Sequence, residues 1–113
     1  MATFDARLYP KAFEAMERGD KTVYTLMCTA EYDFMCSGDR LEFGDFGSIT
    51  VGTVRRYPSL DKLVEVEGWQ NLVPEADSAD HAMELVRSIP EWSSAKEEQL
   101  GVLALRVREA KRK

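Results

Sequence analysis

Two arginines followed by a tyrosine, Arg55, Arg56 and Tyr57, form a polar cluster with clear chemical potential. Guanidinium groups hold phosphates and an aromatic ring stacks on a nucleobase, so these side chains could bind both parts of a nucleotide. The run from Ile49 to Tyr57 alternates with strand period, and neighbouring strand residues point to opposite faces. We therefore expect at most one of the two arginines to serve a ligand site.

Lys21 lies at the junction between a helix that ends at Gly19 and a strand-forming run over residues 22–28. Such a lysine is either a solvated loop residue or a group that points into a cleft. In the cleft, burial would lower its pKa and make it a base or a phosphate contact. Tyr24 lies three residues on, so strand period places it on the opposite face unless a bulge or the loop re-aims one of them.

Common catalytic and metal-binding motifs do not occur in the sequence. His81 is the single histidine, and no partner stands at ligand spacing from it, so we predict a surface position and no metal. Cys28 and Cys36 are predicted to be reduced thiols, because one pair is too few for a disulfide scaffold. Neither a phosphate loop nor a Gly-x-Ser-x-Gly elbow is present, and we expect no cofactor.

The charge of the chain is uneven. The formal net charge is −5, but residues 106–113 hold five basic groups and one acidic group, which leaves −9 for residues 1–105. An acidic body argues against tight, sequence-blind binding of long nucleic acid, although one basic cleft can still hold a few nucleotides. Residues 108–113 are expected to form a short, basic, solvated tail.

The 113 residues, 44% of them hydrophobic, suffice for one domain. No apolar run approaches the roughly 20 residues that cross a bilayer, and the first five residues do not resemble a signal peptide. We expect a cytoplasmic protein without membrane contact, either a monomer or a weak dimer.

Apolar spacing, capping residues and turn residues predict a series of helices and strands. The predicted elements are a helix over 10–18, a strand over 22–28, a hairpin of strands over 40–43 and 49–57, helices over 60–67 and 79–87, and a strand over 100–108. Residues 69–74 are predicted to be an apolar connector, Gly52 to lie in a bulge, and Trp69 and Trp92 to be core anchors. This order predicts an α+β fold, a small β-barrel of about five to six mostly antiparallel strands flanked by two or three helices.

Four segments of the chain carry a resemblance to a known family. They are Gly19-Asp20-Lys21-Thr22-Val23, Gly38-Asp39-Arg40-Leu41-Glu42-Phe43, Val54-Arg55-Arg56-Tyr57-Pro58-Ser59-Leu60 and Gly101-Val102-Leu103-Ala104-Leu105. In this order they resemble the ASCH domain, a branch of the PUA-like superfamily. The resemblance covers about residues 8–107, which it implies are the core of the domain. The resemblance implies a PUA-like β-barrel and a cleft, between barrel and helices, that binds RNA, a nucleotide or a nucleoside.

The family's hallmark reads Gly-x-Lys-x-x-Glu-x-Arg, with a polar residue such as Thr replacing Glu in an amidohydrolase-like branch. Gly19 and Lys21 match it, whereas Tyr24 stands at the Glu position and Leu26 at the Arg position. Leu26 offers no donors to a phosphate or carboxylate, where Arg would offer a fork of them. The resemblance also brings Tyr24 to the cleft beside Lys21, where its ring suits a nucleobase.

The leading function that the resemblance implies is binding of RNA or a nucleotide-sized ligand. The ligand-binding residues would be Lys21, Tyr24, Arg55 or Arg56, and Tyr57. An interaction domain that has lost ligand binding is another alternative, which the altered hallmark and the acidic body favour.

An enzyme is the remaining alternative, because some ASCH proteins are amidohydrolases acting on acetylated cytidine and others have been assigned ribonuclease activity. Lys21 would then activate a water, Tyr24 would donate a hydrogen bond, and Glu67 or a neighbour would be the acid. Asn71 stands near the position where the family has its acid. Residues two apart diverge on a helix, so at most one of Glu65 and Glu67 faces the cleft.

Overall fold

The computed structural model describes residues 2–6, 10–90 and 92–113, which form five strands and five helices. The strands are β1 (Thr3–Asp5), β2 (Val23–Met27), β3 (Arg40–Glu42), β4 (Gly47–Tyr57) and β5 (Val102–Arg112). The helices are α1 (Pro10–Arg18), α2 (Leu60–Glu67), α3 (Trp69–Leu72), α4 (Ala79–Arg87) and α5 (Ser94–Leu100). None of these helices has both the length and the apolar character that crossing a bilayer requires.

The strands form one curled, half-barrel sheet in the order β1-β3-β4-β5-β2. β1 pairs with β3 in parallel, and the other neighbours pair antiparallel. The register between β4 and β5 shifts on both sides of Val51, so Gly52 lies in a bulge, as predicted. The α+β class and the five-stranded, mostly antiparallel sheet are therefore confirmed.

The sheet separates two hydrophobic cores, because successive residues of β5 alternate between its faces. Leu103 and Leu105 belong to a cluster that includes Phe13 of α1. Val102 and Ala104 belong to the other cluster, which α2, α3 and α4 cover and against which Trp69 and Trp92 pack. Both tryptophans are therefore core anchors, as predicted.

Serine side chains fix the starts of two helices that the sequence predicts. Ser59 accepts a hydrogen bond from the Lys62 N–H at the start of α2, and Ser78 accepts one from the His81 N–H at the start of α4. These bonds satisfy N–H groups that have no partner within the helix. The boundaries of α1, α2 and α4 agree with the predicted ones.

Several elements differ from the expectation. Residues 69–72 form α3 instead of a connector and residues 94–100 form α5, so the helices exceed the predicted two or three. The sequence does not predict β1, which is three residues long. β5 continues to Arg112 because its last residues pair with the start of β4. Residues 108–112 therefore lie in a strand, although most of their side chains are exposed to solvent.

Gly101 has no room for a side chain. Its φ is +78°, and a Cβ atom there would lie 2.6 Å from the carbonyl oxygen of Tyr57. We expect Gly101→Ala to lower the free energy of unfolding by about 2 kcal/mol, from backbone strain and this clash together. Urea unfolding measures the effect.

Gly38→Ala is the matched control, because Gly38 has a φ of +95° and nothing lies within 4 Å of its Cβ position. We expect it to cost about 1 kcal/mol, from strain alone. Equal losses in the two variants would contradict the steric part of the prediction.

Candidate functional site

The backbone of Lys21 is held at the junction of two helices and a strand. α1 ends at Arg18, and the φ of +85° at the following Gly19 lets the chain reverse. The Lys21 N–H donates to the Ala15 carbonyl of α1 over 3.1 Å, and the Thr22 N–H donates to the Asn71 carbonyl of α3 over 3.0 Å. These bonds fix the position of Lys21 before β2 begins.

The side chain of Lys21 is buried, with 8% of the residue exposed. Its ammonium donates to the carbonyl oxygen of Leu72 and lies 5.6 Å from the centre of the Tyr24 ring, which is a cation–π distance. Burial lowers the pKa of Lys21 to about 8, while the charge of Glu75 acts in the opposite direction. This lysine therefore becomes neutral more readily than a solvated lysine.

Lys21 and Tyr24 meet although strand period places them on opposite faces. Lys21 lies outside β2, which begins at Val23, so the loop sets the direction of its side chain. The contact that the family resemblance implies is thus present. The Tyr24 ring also packs edge-on against Phe43, with 5.3 Å between ring centres, and so belongs to the core as well.

Glu67, the acid suggested by the sequence, lies elsewhere. Its side chain is 4% exposed, and its carboxylate accepts a hydrogen bond from the Tyr57 hydroxyl and lies 3.7 Å from a guanidinium nitrogen of Arg55. Burial, followed by this hydrogen bond, raises the pKa of Tyr57. Among the described residues, no contact joins Glu67 to Lys21. The structure therefore groups Glu67 with Tyr57 and Arg55.

Glu75 is the acidic residue whose charge acts on Lys21, and the sequence analysis does not identify it. Glu75 follows α3, whose residue Leu72 supplies the carbonyl that binds the ammonium. Residues 69–74 carry no catalytic motif and were expected to form a connector, so no sequence signal marks Glu75. We define the Lys21 site as Lys21, Tyr24, Glu75 and the Leu72 carbonyl.

Arg55 and Arg56 point to opposite faces of β4, as strand period predicts. Arg55 meets Glu67 on the face that α2 covers. Arg56 donates to the Cys28 sulfur over 3.0 Å and to the Asp33 carboxylate over 2.6 Å. Burial raises the pKa of the Cys28 thiol, so this cysteine remains protonated and has little nucleophilic character.

The predicted site residues fall into two groups, because Lys21 and Tyr24 lie at the start of β2 and residues 55–57 at the end of β4. Thr25 and Arg55 both align with Ala104 of the intervening strand. Lys21 precedes Thr25 by four residues, which displaces it along the strand direction by on the order of 13 Å. The structure thus separates the arginines from Lys21, whereas Tyr24 is in register with Val54, because both align with Leu105.

An open cavity of about 620 Å³ lies beside the two arginines. One wall consists of residues 35–37, between β2 and β3, and the other of residues 53–56 of β4. We call this cavity the edge groove; neither Lys21 nor Tyr24 lines it. A second cavity of about 390 Å³ lies where Arg87 and Glu97 meet.

The side chains that commonly bind metal ions lie apart from one another in the described part of the chain. Within the described ranges, no group of three His, Cys, Asp or Glu side chains could hold a metal ion. His81 is half-buried, and its Nδ1 accepts the Asp77 N–H over 3.0 Å. Both cysteines are free; Cys28 is buried and Cys36 is exposed.

The sequence matches no protein-family model and no curated protein. The crystal structure of hypothetical protein PH0355 is similar, with a TM-score of 0.88 and 22% sequence identity over 98% of this chain and 100% of that chain. The solution NMR structure of protein PF0455 from Pyrococcus furiosus has a TM-score of 0.77 and 22% identity over 96% of each chain. At this identity, the likeness establishes a shared fold.

Proposed function

We propose that the chain binds a nucleoside- or nucleotide-sized ligand at the Lys21 site. The observation that carries the proposal is the buried Lys21 ammonium, which has a lowered pKa and lies over the Tyr24 ring. Taking a charge out of water costs several kcal/mol, and no carboxylate of a described residue lies at ion-pair distance from this one. A costly group of this kind is characteristic of a site where function uses it.

The size of the ligand follows from the number of cations at the site. An RNA strand presents a row of phosphates, and each phosphate contact requires its own cationic or polar partner. The Lys21 site offers one ammonium, whereas Arg55 and Arg56 lie apart from it and contact Glu67 and Asp33. One cation beside one aromatic ring therefore favours a single nucleoside or nucleotide over a strand.

The resemblance to the ASCH domain supports the same proposal. Residues 19–23 contain the matched Gly19 and Lys21 of the family's hallmark, and the resemblance implies a cleft that binds RNA or nucleosides. Leu26 stands where the hallmark has Arg. The site thus lacks the guanidinium that would bind a phosphate or carboxylate of the ligand. A nucleoside with few charges therefore suits the site better than a polyphosphate.

A chemical-shift titration of isotope-labelled protein with cytidine and with cytidine monophosphate tests the proposal. We expect saturable shifts at residues 21–24, because the ligand contacts the ammonium and the ring. Lys21→Met should abolish them, while Lys96→Met, which removes an exposed lysine of α5, should leave them unchanged. The proposal fails if neither ligand moves residues 21–24 at millimolar concentration, or if Lys21→Met responds like the parent chain.

The pKa of Lys21 favours a second function, hydrolysis of an acylated nucleoside such as acetylcytidine. With a pKa of about 8, roughly a tenth of the lysine is neutral at pH 7. The neutral amine would take a proton from water as the water oxygen bonds to the acetyl carbon, and Tyr24 would donate a hydrogen bond to the carbonyl. The carbon–nitrogen bond would then break, with the Lys21 proton passing to the leaving amine.

The acetyl methyl signal of acetylcytidine, followed in the same titration, separates the two functions. Acetate release that Lys21→Met abolishes and Lys96→Met preserves would establish the hydrolase. Saturable shifts with an intact acetyl group would establish binding and exclude hydrolysis of this substrate.

A further inference from the structure

Among the residues that the structure describes, the second half of β4 has a strand neighbour on one side only. β3 pairs with residues 48–50, whereas residues 54–57, beyond the bulge at Gly52, pair with β5 alone. The other edge of this segment borders the edge groove, whose opposite wall is residues 35–37. The end of β4 is therefore an open sheet edge inside a groove.

Hydrogen bonds between β2 and β5 establish the direction of the backbone groups in β5. The Val107 N–H donates to the Thr22 carbonyl, and the Cys28 N–H donates to the Gly101 carbonyl. In an antiparallel sheet, alternate residues direct both their N–H and C=O to the same neighbour. Odd-numbered residues from 101 to 107 therefore bond toward β2, and the even-numbered residues between them bond toward β4.

The pairing of β4 with β5 determines which backbone groups of β4 point toward β5. Arg55 and Tyr57 pair with even-numbered residues of β5, so their N–H and C=O groups point toward β5. The backbone groups of Val54 and Arg56 consequently point away from β5 and into the edge groove. Among the described residues, nothing on the groove side forms a hydrogen bond with these groups, so they present two donors and two acceptors at strand spacing.

The side chains around this edge have a small excess of positive charge, because three arginines face two carboxylates there. The side chains of Arg55 and Arg56 remain 58% and 57% exposed although each contacts one carboxylate. Arg108 donates to the Ser37 hydroxyl on the opposite wall over 3.0 Å and has no acidic partner in the described part of the chain. Two copies of such an edge would bring like charges together, which disfavours self-pairing, whereas an acidic strand is complementary.

A large apolar side chain lies next to the groove. Phe34 is 85% exposed and directly precedes Met35, which lines the wall. Exposed aromatic residues beside a sheet edge provide a contact for an apolar side chain of an added strand. The groove thus combines backbone hydrogen-bonding groups, positive charge and one apolar contact.

We propose that the open edge of β4 binds an extended acidic peptide segment of a partner protein by strand addition. The peptide backbone pairs with Val54 and Arg56, its carboxylates lie near Arg55 and Arg108, and an apolar side chain contacts Phe34. RNA fits less well, because a sugar-phosphate backbone has no repeated N–H donor for the two carbonyl groups. The groove is separate from the Lys21 site, so neither proposal depends on the other.

Amide hydrogen exchange and a chemical-shift titration test the proposal, with a blocked peptide of alternating glutamate and valine as the probe. In the free protein, we expect the amides of Val54 and Arg56 to exchange faster than those of Arg55 and Tyr57. Adding the peptide should slow exchange at Val54 and Arg56 and shift their signals saturably. The same peptide N-methylated at alternate residues, and a lysine–valine peptide, should each bind about tenfold more weakly or worse.

Two substitutions at position 54 provide a matched pair. Val54→Pro removes the groove-facing N–H without removing a donor to β5, and should weaken peptide binding about tenfold. Val54→Ala shortens the side chain but keeps that N–H, and should bind the peptide like the parent chain. If Val54→Pro does not fold, the N-methylated peptide makes the same comparison on the unaltered protein.

Three results would each overturn the proposal. The first is slow exchange of the Val54 and Arg56 amides in the free protein, and the second is no saturable shift at these amides with millimolar acidic peptide. The third is a stronger response of the groove to a short oligouridylate than to the acidic peptide, which would assign the groove to nucleic acid.

Discussion

Replacing Glu97 with alanine is expected to lower the free energy of unfolding by about 3–5 kcal/mol. Glu97 is 6% exposed, and its carboxylate accepts the Leu60 N–H over 3.0 Å and the Trp92 indole N–H over 3.0 Å. The Arg87 guanidinium donates to it through two nitrogens, over 2.9 and 3.2 Å. Alanine would leave the Leu60 N–H and the Trp92 indole N–H without their acceptor and would remove one of the two carboxylates that Arg87 contacts among the described residues, the other being Asp61. The cost therefore exceeds that of an ordinary surface change.

Two variants control for this effect. Glu97→Gln keeps one oxygen acceptor and loses the charge, so we expect a smaller loss, about 2 kcal/mol. Glu98→Ala removes the exposed neighbour on α5 and should change stability by less than about 0.5 kcal/mol. Urea unfolding followed by tryptophan fluorescence measures all three variants. A loss below about 1 kcal/mol for Glu97→Ala would contradict the prediction.

The difference in the free energy of unfolding between the parent chain and Glu97→Gln should change with pH in a defined direction. Burial acts to raise the pKa of Glu97, but the hydrogen bonds from Arg87, Leu60 and Trp92 outweigh it and lower the pKa below its ordinary value of 4.5. A carboxyl with a lowered folded-state pKa contributes stability above its unfolded-state pKa and loses it as pH falls through the folded-state pKa. The stability difference between the parent chain and Glu97→Gln should therefore narrow on acidification below about pH 4.5.

The helices that the sequence predicts correctly have local signals at both ends. α2 has Ser59 before it and Gly68 after it, and α4 has Ser78 before it and Pro90 shortly after it. α3 has four residues and α5 has seven, which is too few turns for an apolar period to emerge. Within α5, the buried residue is the charged Glu97. Its burial depends on Arg87, a residue ten positions away, so residues 94–100 alone do not reveal it.

Long-range pairing explains the misplaced end of β5. Residues 108–112 are mostly charged, so their composition predicts a tail, yet they pair with the start of β4. The same limit applies to the site, because the burial of Lys21 depends on α1 and α3 together. The residues themselves predict the opposite faces of Arg55 and Arg56, and the family resemblance implies the contact of Lys21 with Tyr24. Neither source indicates the charge of Glu75 near the ammonium.

Lys21→Met is expected to stabilise the folded chain at pH 7 by about 2 kcal/mol. Burial lowers the pKa of Lys21 from 10.5 to about 8, so the folded state disfavours the ammonium by about 3 kcal/mol relative to the unfolded state. Methionine removes that cost but also loses the hydrogen bond to the Leu72 carbonyl, which is worth about 1 kcal/mol. The variant should thus gain stability while it loses the ligand.

The sign of the pH dependence makes this prediction specific to the buried ammonium. Between pH 8 and 10.5 the unfolded chain holds a proton on Lys21 that the folded chain has released, so the stability of the parent chain rises with pH relative to Lys21→Met. The stability advantage of the variant should therefore shrink above pH 8 and reverse near pH 10.5, where the missing hydrogen bond is the remaining difference.

Urea unfolding of both chains at a series of pH values measures this crossing. The free energy of unfolding of Lys96→Met, which alters an exposed lysine, should vary with pH in parallel with that of the parent chain. If the free energy of unfolding of Lys21→Met also varied with pH in parallel with that of the parent chain, the result would contradict the burial of the ammonium. A crossing of the two curves, together with lost nucleoside binding, would mean that Lys21 lowers the stability of the fold and is needed for the ligand.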